Sequence, residues 1–386
     1  MRKCKLSECV KEINDKTTKN NQYEVLTSSK NGILSQEEYF DKQVASKDNT
    51  GYKIIKKGQF TYRSMSDSGT FTINRLEDKE IGIVSPAYPV FEATNIDAEY
   101  LKYYFKSELF NKAIINLSQG STRTALKYKD LIDIEIYLPE IEEQKKIVKI
   151  LKNNDQVIEK YDELIKEKEQ FIKSQFVEMF GNCTINNKGF EIVKIENVAE
   201  VSSSKRIYAS EYQKSGIPFY RSKEIIELGN NRQPTTELFI SPDRYMEIKE
   251  KYDIPKKGDV LITAVGTIGE MWIVNNDVPF YYKDGNVLQI RLGNTITQIY
   301  FKYILNTLIE SFKRKNTSGS AYPALTIEKF KKMNVVLPTM GLQKEFEKIV
   351  QLIDKQKFEL EKQKGNYIEL KKGLMQQLLT GKLKVN

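Results

Sequence analysis

Leu138-Pro139-Glu140-Ile141-Glu142-Glu143-Gln144-Lys145-Lys146-Ile147 returns, 199 residues later, as Leu337-Pro338-Thr339-Met340-Gly341-Leu342-Gln343-Lys344-Glu345-Phe346. Proline has no N–H to donate, so it is tolerated where a helix starts, and each string reads as a helix entrance. The same 199-residue offset links Gly120-Ser121 to Gly319-Ser320 and Ala125-Leu126 to Ala324-Leu325. At an offset of 200, Lys56-Lys57-Gly58 matches Lys256-Lys257-Gly258. So many ordered matches at one offset are the mark of an internal duplication. Each half then has one plan: a mixed globular segment, a Leu-Pro stop, and a long charged helix.

The helices carry a seven-residue apolar repeat. Beyond Gln144 it falls on Leu151, Ile158, Ile165, Ile172 and Met179; in the second half it falls on Phe346, Ile353, Leu360, Tyr367 and Leu374. A strict heptad keeps one apolar stripe facing a partner helix, as in a coiled coil. A zipper between two copies of the chain is the simplest use of such a stripe. Two similar helices in one chain make pairing with each other the cheaper solution. Gly181 and Gly381 stand where C-terminal glycines end helices. At 1.5 Å per residue, roughly 40 residues reach about 60 Å, enough to hold two domains well apart.

The globular segments mix strand-like runs, residues 260–264 and 287–291, with amphipathic helical patterns at 99–115 and 298–312. The fold expected is α+β: two similar domains joined by two long antiparallel coiled-coil helices in a pseudo-two-fold repeat. The boundaries expected are 1–139 and 183–338 for the domains, and 140–182 and 339–386 for the helices.

Composition narrows the chemistry. With 386 residues and 40% hydrophobic side chains, the chain can bury real cores. No run reaches the roughly 18 apolar residues of a membrane span, and the N-terminus lacks the apolar region of a signal peptide, so a cytoplasmic protein is expected. Three cysteines, Cys4, Cys9 and Cys183, form no even framework and fit a reducing compartment. The absence of histidine removes Ser-His and Cys-His nucleophile pairs and most zinc sites, so no metal or cofactor is expected. The net charge of +9 points toward a polyanion. Residues 140–180 carry a net −2 and residues 342–386 a net +4, so +7 stays with the globular segments, where a DNA reader needs it.

Arginine offers a bidentate fork to guanine, while Ser, Thr and Lys more often hold phosphates. In the first half the candidates for DNA contact are Tyr62, Arg63, Ser121, Thr122 and Arg123. In the second they are Lys205, Arg206, Tyr220, Arg221, Lys223, Ser318, Ser320 and Tyr322. Surface salt bridges and plain turns are the competing reading of each of these residues.

Catalytic strings are scarce. Pro242-Asp243 with Glu247-Ile248-Lys249 spells a nuclease-like pattern, but its carboxylates are only four residues apart in a segment that reads as a helix capped by Ser241. Ser85-Pro86-Ala87-Tyr88 lacks the features of a methyltransferase tetrapeptide, and no phosphate-binding Gly-x-x-x-x-Gly-Lys-Ser/Thr loop occurs.

Together these strings resemble the specificity subunits of Type I restriction-modification systems over essentially the whole chain. The resemblance rests on the paired Leu-Pro-x-x-x-x-Gln junctions and on Lys57-Gly58-Gln59-Phe60-Thr61-Tyr62 with Lys257-Gly258-Asp259-Val260-Leu261-Ile262. Gly266-Thr267-Ile268-Gly269-Glu270 and the helix ends Glu178-Met179-Phe180-Gly181-Asn182 and Leu378-Leu379-Thr380-Gly381-Lys382 add to it. Leu342, where the first junction has Glu143, is a departure. The resemblance implies two target-recognition domains, each reading half of a split site in double-stranded DNA. It also implies that the chain is not itself an enzyme. Two modification subunits that methylate adenine would dock on the helices, and a translocating restriction subunit would join them, with no role for a membrane. A self-sufficient DNA-modifying or cleaving enzyme, and a coiled-coil adaptor with no DNA role, are the alternatives from other classes.

Overall fold

A computed structural model describes residues 2–36, 48–66, 69–117, 124–316 and 324–385. The chain divides into two compact units, residues 1–164 with 360–386, and residues 165–359. Both cuts fall inside long helices and not at their ends, which differs from the boundaries expected above. The reason is packing: each helix end is built into the core of a globular segment.

In the first unit, β1 (Arg2–Lys5) and β2 (Val10–Ile13) lead to β3 (Leu26–Ser29), β4 (Gly32–Ser35), β5 (Lys53–Lys56) and β6 (Phe60–Thr61). Then come β7 (Met65–Ser66), β8 (Asn74–Arg75), β9 (Ile81–Val84), β10 (Val90–Ala93), α1 (Ala98–Phe105), α2 (Glu108–Leu117), β11 (Thr124–Ala125), α3 (Tyr128–Ile132) and β12 (Glu135–Leu138). The long helix α4 (Ile141–Phe180) follows and runs on into the second unit.

The second unit opens with β13 (Glu191–Lys194), β14 (Ala199–Ser202), β15 (Ile217–Tyr220), α5 (Ser222–Gly229), β16 (Phe239–Ile240) and α6 (Pro242–Lys251). It continues with β17 (Val260–Thr263), β18 (Met271–Ile273), β19 (Tyr281–Tyr282), β20 (Val287–Leu292), α7 (Gln298–Asn316), α8 (Ile327–Lys331) and β21 (Asn334–Leu337), and then the long helix α9 (Met340–Leu379).

The duplication is visible in the sheets. The first unit has a four-stranded sheet in the order β2-β10-β6-β8, and the second has β14-β20-β17-β18. In each, the opening strand pairs antiparallel with the strand that precedes the Leu-Pro stop: Arg2 lies opposite Leu138, and Glu191 opposite Leu337. Around this shared frame the additions differ. The first unit adds the hairpin β3-β4 and the pair β5-β9, the second a three-stranded sheet β16-β15-β19.

The glutamine of each junction has a physical role. Gln144 is buried; its amide nitrogen donates to the Pro139 carbonyl at 2.9 Å, and its oxygen accepts from the Asp97 backbone N–H at 2.7 Å. Gln343 is fully buried; its nitrogen donates to the carbonyls of Pro338 at 2.8 Å and Thr295 at 3.1 Å, and its oxygen accepts from the Thr297 N–H at 2.8 Å. Asp97 is the N-cap of α1, and Thr297 directly precedes α7. One side chain thus ties the start of the long helix to the start of the domain helix, and satisfies backbone groups that burial would otherwise leave unpaired. A second tie is also repeated: the Leu126 N–H donates to the Ser64 carbonyl, and the Leu325 N–H to the Ala264 carbonyl.

The amphipathic stretch 99–115 is not one helix but two, because the chain breaks at Lys106-Ser107 and the Ser107 hydroxyl accepts from the Phe110 N–H at 3.3 Å. Its counterpart α7 is continuous over 19 residues.

The long helices pack antiparallel. In the first unit Ile147, Val148 and Leu151 of α4 share the core with Met375, Leu378 and Leu379 of α9. In the second unit Phe346, Val350 and Ile353 share it with Ile172, Phe176 and Phe180. Of the expected seam, Leu151, Ile172, Phe346 and Ile353 are buried, and Met179 and Leu374 pack against the cores. Ile158, Ile165, Leu360 and Tyr367 are half-buried, Tyr367 lying 5.7 Å from the ring of Tyr161. Beside the seam runs a charge ladder: Asp155 with Lys371, Asp162 with Lys364, and Glu169 with Lys357. Every seven residues up α4 are matched by seven down α9, as an antiparallel heptad requires.

Candidate DNA interface

The basic side chains are sorted by what already holds them. In the first unit Tyr62 is fully buried and its hydroxyl donates to the Leu126 carbonyl at 3.2 Å; burial raises its pKa. It is a core residue that presents no surface to DNA. Its neighbour Arg63 is exposed and has no carboxylate or hydrogen-bond partner among the described residues. Arg63 lies on a cleft whose walls include Ser29, Lys30, Asn31, Ser66 and Thr70. Lys30, at the β3-β4 turn, is likewise exposed and without an ion pair among the described residues; sequence reasoning missed it. Ser121, Thr122 and Arg123 lie outside the described residues.

In the second unit the candidates separate further. Arg206 is exposed, and its Nε donates to Asp284 at 2.8 Å. Arg221 binds Glu224, a fully buried carboxylate, at 3.1 Å, and its backbone N–H donates to the same group at 2.8 Å. That hydrogen bond, with the charge of Glu224, raises the Arg221 pKa and fixes the start of α5. The Lys205 ammonium sits 5.3 Å from the ring centre of Tyr252. Tyr220 is buried, stacked 5.0 Å from Phe280. Lys223 is exposed and unpaired among the described residues. Ser318, Ser320 and Tyr322 lie outside them. The structure therefore brings Tyr220 into the floor of a cleft without Arg221 or Lys223. The rim of that cleft includes Asn231, Arg232, Gln233, Asn275 and Asn276, none of which was anticipated. The run Asn230-Asn231-Arg232-Gln233 was the available signal, four consecutive polar side chains with no carboxylate among them.

The nuclease-like string lies on α6, where Ser241 caps the helix by accepting from the Arg244 N–H at 3.1 Å. Glu247 is tied to Arg244 at 2.7 Å and Lys251 at 3.4 Å, so its carboxylate is held by cations of its own helix. Burial, then the adjacent Cys4 thiol, pushes Cys9 up to about 12, and burial pushes Cys183 up to about 11, so neither is a thiolate at neutral pH. No cluster of three metal-binding side chains occurs among the described residues. None of their helices is long and apolar enough to cross a membrane.

The helices also keep apolar side chains in solvent. Phe171, Leu352 and Phe358 in the second unit are 45%, 59% and 68% exposed, and Leu370 in the first is 52% exposed. Large exposed apolar side chains on a rigid helix pair are the raw material of a protein interface.

Comparison with known proteins accounts for this combination. The Type I restriction modification DNA specificity domain matches twice, over residues 4–170 and 187–370, and the chain belongs to that family. A putative type I restriction enzyme specificity subunit of Haemophilus influenzae, S.HindORF215P, is 30% identical over 257 residues, 64% of this chain and 62% of its own length. The MjaIX specificity subunit of Methanocaldococcus jannaschii is 23% identical over 318 residues, covering 75% of this chain and 69% of its own. Among solved structures, a chain from a study of complex assembly in the type I R-M system superposes with a TM-score of 0.63 at 17% identity, over 99% of this chain and 98% of that one. That likeness is one of fold.

Proposed function

We propose that this chain recognises a bipartite site in double-stranded DNA, one half through each unit, and directs adenine methylation and restriction carried out by partner subunits. The observation that carries the reading is the repeated frame with unequal additions. The same four-stranded sheet and the same glutamine clamp occur in both units, while β3-β4 and β5-β9 in one are replaced by β16-β15-β19 in the other. A common frame with different surfaces suits two modules that read different half-sites. The net charge outside the helices favours a polyanion as their common ligand. The chain itself acts without catalysis or cofactor; the exposed apolar positions on α4 and α9 are where modification subunits would dock.

The test is modular. Residues 186–337 are replaced by the equivalent segment of a relative, and genomic methylation is mapped in cells carrying the system. One half of the modified site should change and the other remain. A change in both halves, or in neither, would refute the two-module reading.

A further inference from the structure

Of the ten arginines in the chain, nine are among the described residues. Arg2, Arg75, Arg206, Arg221, Arg244 and Arg291 hold carboxylates, and Arg314 donates to the Glu310 carbonyl. Two remain, both exposed and both without a side-chain partner among the described residues: Arg63 in the first unit and Arg232 in the second. Glu227, whose carboxylate senses the charge of Arg232, is itself bound by the Thr235 N–H and hydroxyl at 2.8 and 2.9 Å. Each free guanidinium lies on a cleft with polar side chains: Lys30 and Asn31 beside Arg63, and Asn231, Gln233 and Asn276 beside Arg232.

The repeat supplies an internal control. At the offset of 200 the counterpart of Arg63 is Thr263, which is fully buried and accepts from the Glu270 N–H at 3.0 Å. The frame thus folds with a different residue at that position, and the arginine is not there to hold it. Arg232 follows α5, in the segment of the second unit between β15 and β16. Both guanidinium groups nonetheless spring from anchored backbone. Arg63 stands between buried Tyr62 and Ser64, whose carbonyl accepts from Leu126 at 3.0 Å, and the Arg232 N–H donates to the Glu227 carbonyl at 2.9 Å. A reader of base edges needs this combination of a fixed root and an uncommitted fork.

We infer that Arg63 and Arg232 are the specificity-determining arginines of the two half-sites, each donating bidentately to O6 and N7 of one guanine in the major groove. Guanine is the base whose major-groove edge offers two acceptors at the spacing of the fork. The neighbouring amides suit adjacent bases, and Lys30 suits a phosphate. The inference rests on the reading of the protein as a DNA-recognition subunit.

The experiment uses the full chain assembled with its modification subunits, on duplexes of the site mapped by methylation sequencing. Each guanine is replaced in turn by 7-deazaguanine, which lacks the N7 acceptor. For the wild type, one such replacement in each half-site should weaken binding by about 10- to 100-fold. Arg63→Ala should abolish sensitivity to one of these replacements only, and Arg232→Ala to the other only, each weakening the unmodified site by a similar factor. Both arginines are exposed and unpaired, so the variants should melt with the wild type. Uniform weakening on all sequences, with the salt slope reduced by about one, would mark a phosphate contact and overturn the assignment. So would unchanged discrimination, or a half-site without guanine. If the wild-type complex bound no duplex in preference to random DNA, the recognition reading itself would fail, which is a separate result.

Discussion

Replacing Gln343 by Met keeps an unbranched side chain of similar length and removes both polar ends. Three hydrogen bonds go, those with Pro338, Thr295 and Thr297, at a position with no solvent exposure. A hydrogen bond contributes about 0.5–1.5 kcal/mol net, and a buried group left unpaired costs about 1–3 kcal/mol. The loss for Gln343→Met should therefore be about 3–4 kcal/mol. Gln144→Met removes two bonds and should cost about 2–3 kcal/mol. The chain has one tryptophan, Trp272, buried in the second unit, so its fluorescence reports the unfolding of that unit. With a urea slope of about 3 kcal/mol/M, Gln343→Met should lower the fluorescence midpoint by about 1 M. Gln144→Met should leave that midpoint near the wild type while destabilising the circular-dichroism transition of the first unit. A fluorescence midpoint within about 0.2 M of wild type for Gln343→Met would refute the clamp. Equal shifts from both variants would refute its confinement to one unit.

Two further outcomes follow from the helices. Lys364→Glu should lower the melting temperature modestly, since a partly exposed pair contributes about 0.2–1 kcal/mol, and adding Asp162→Lys should restore it; high salt should shrink both effects, and an equal loss in the double variant would remove the ladder from the account. A seven-residue insertion in α4 near Lys168 should be poorly tolerated alone; with a matching heptad near Tyr367 in α9 it should restore folding and widen the gap in the methylated site by about three base pairs, and an unchanged gap in active protein would end the idea that helix length sets it.

What was legible in the sequence was what repeats or has a short period. The offset of 199 marked both junctions, and the heptads marked two helices that the fold carries to 40 residues each. The strand at 260–264 and the helix after Ser241 were local patterns of the same kind. The candidate binding residues were harder, because whether a side chain is free depends on partners far along the chain. Arg206 meets Asp284, 78 residues away, and Tyr62 meets Leu126, 64 away. Neither contact has a sequence period. The same limit hid Arg232, because only the fold shows that it forms no ion pair among the described residues. The break at Ser107 was missed because the apolar pattern continues through it, while the serine hydroxyl starts a new helix there.

The charge ladder has a consequence for assembly. Its acids, Asp155, Asp162 and Glu169, all lie on α4, and its lysines, Lys357, Lys364 and Lys371, all lie on α9. Pairing α4 with another α4, or α9 with another α9, would leave like charges without counterions, so the two helices are complementary and not interchangeable. Within one chain the tether holds the fitting partner at an effective concentration of about millimolar, far above that of any second copy in a cell. Pairing within the chain is thereby favoured over a zipper between copies.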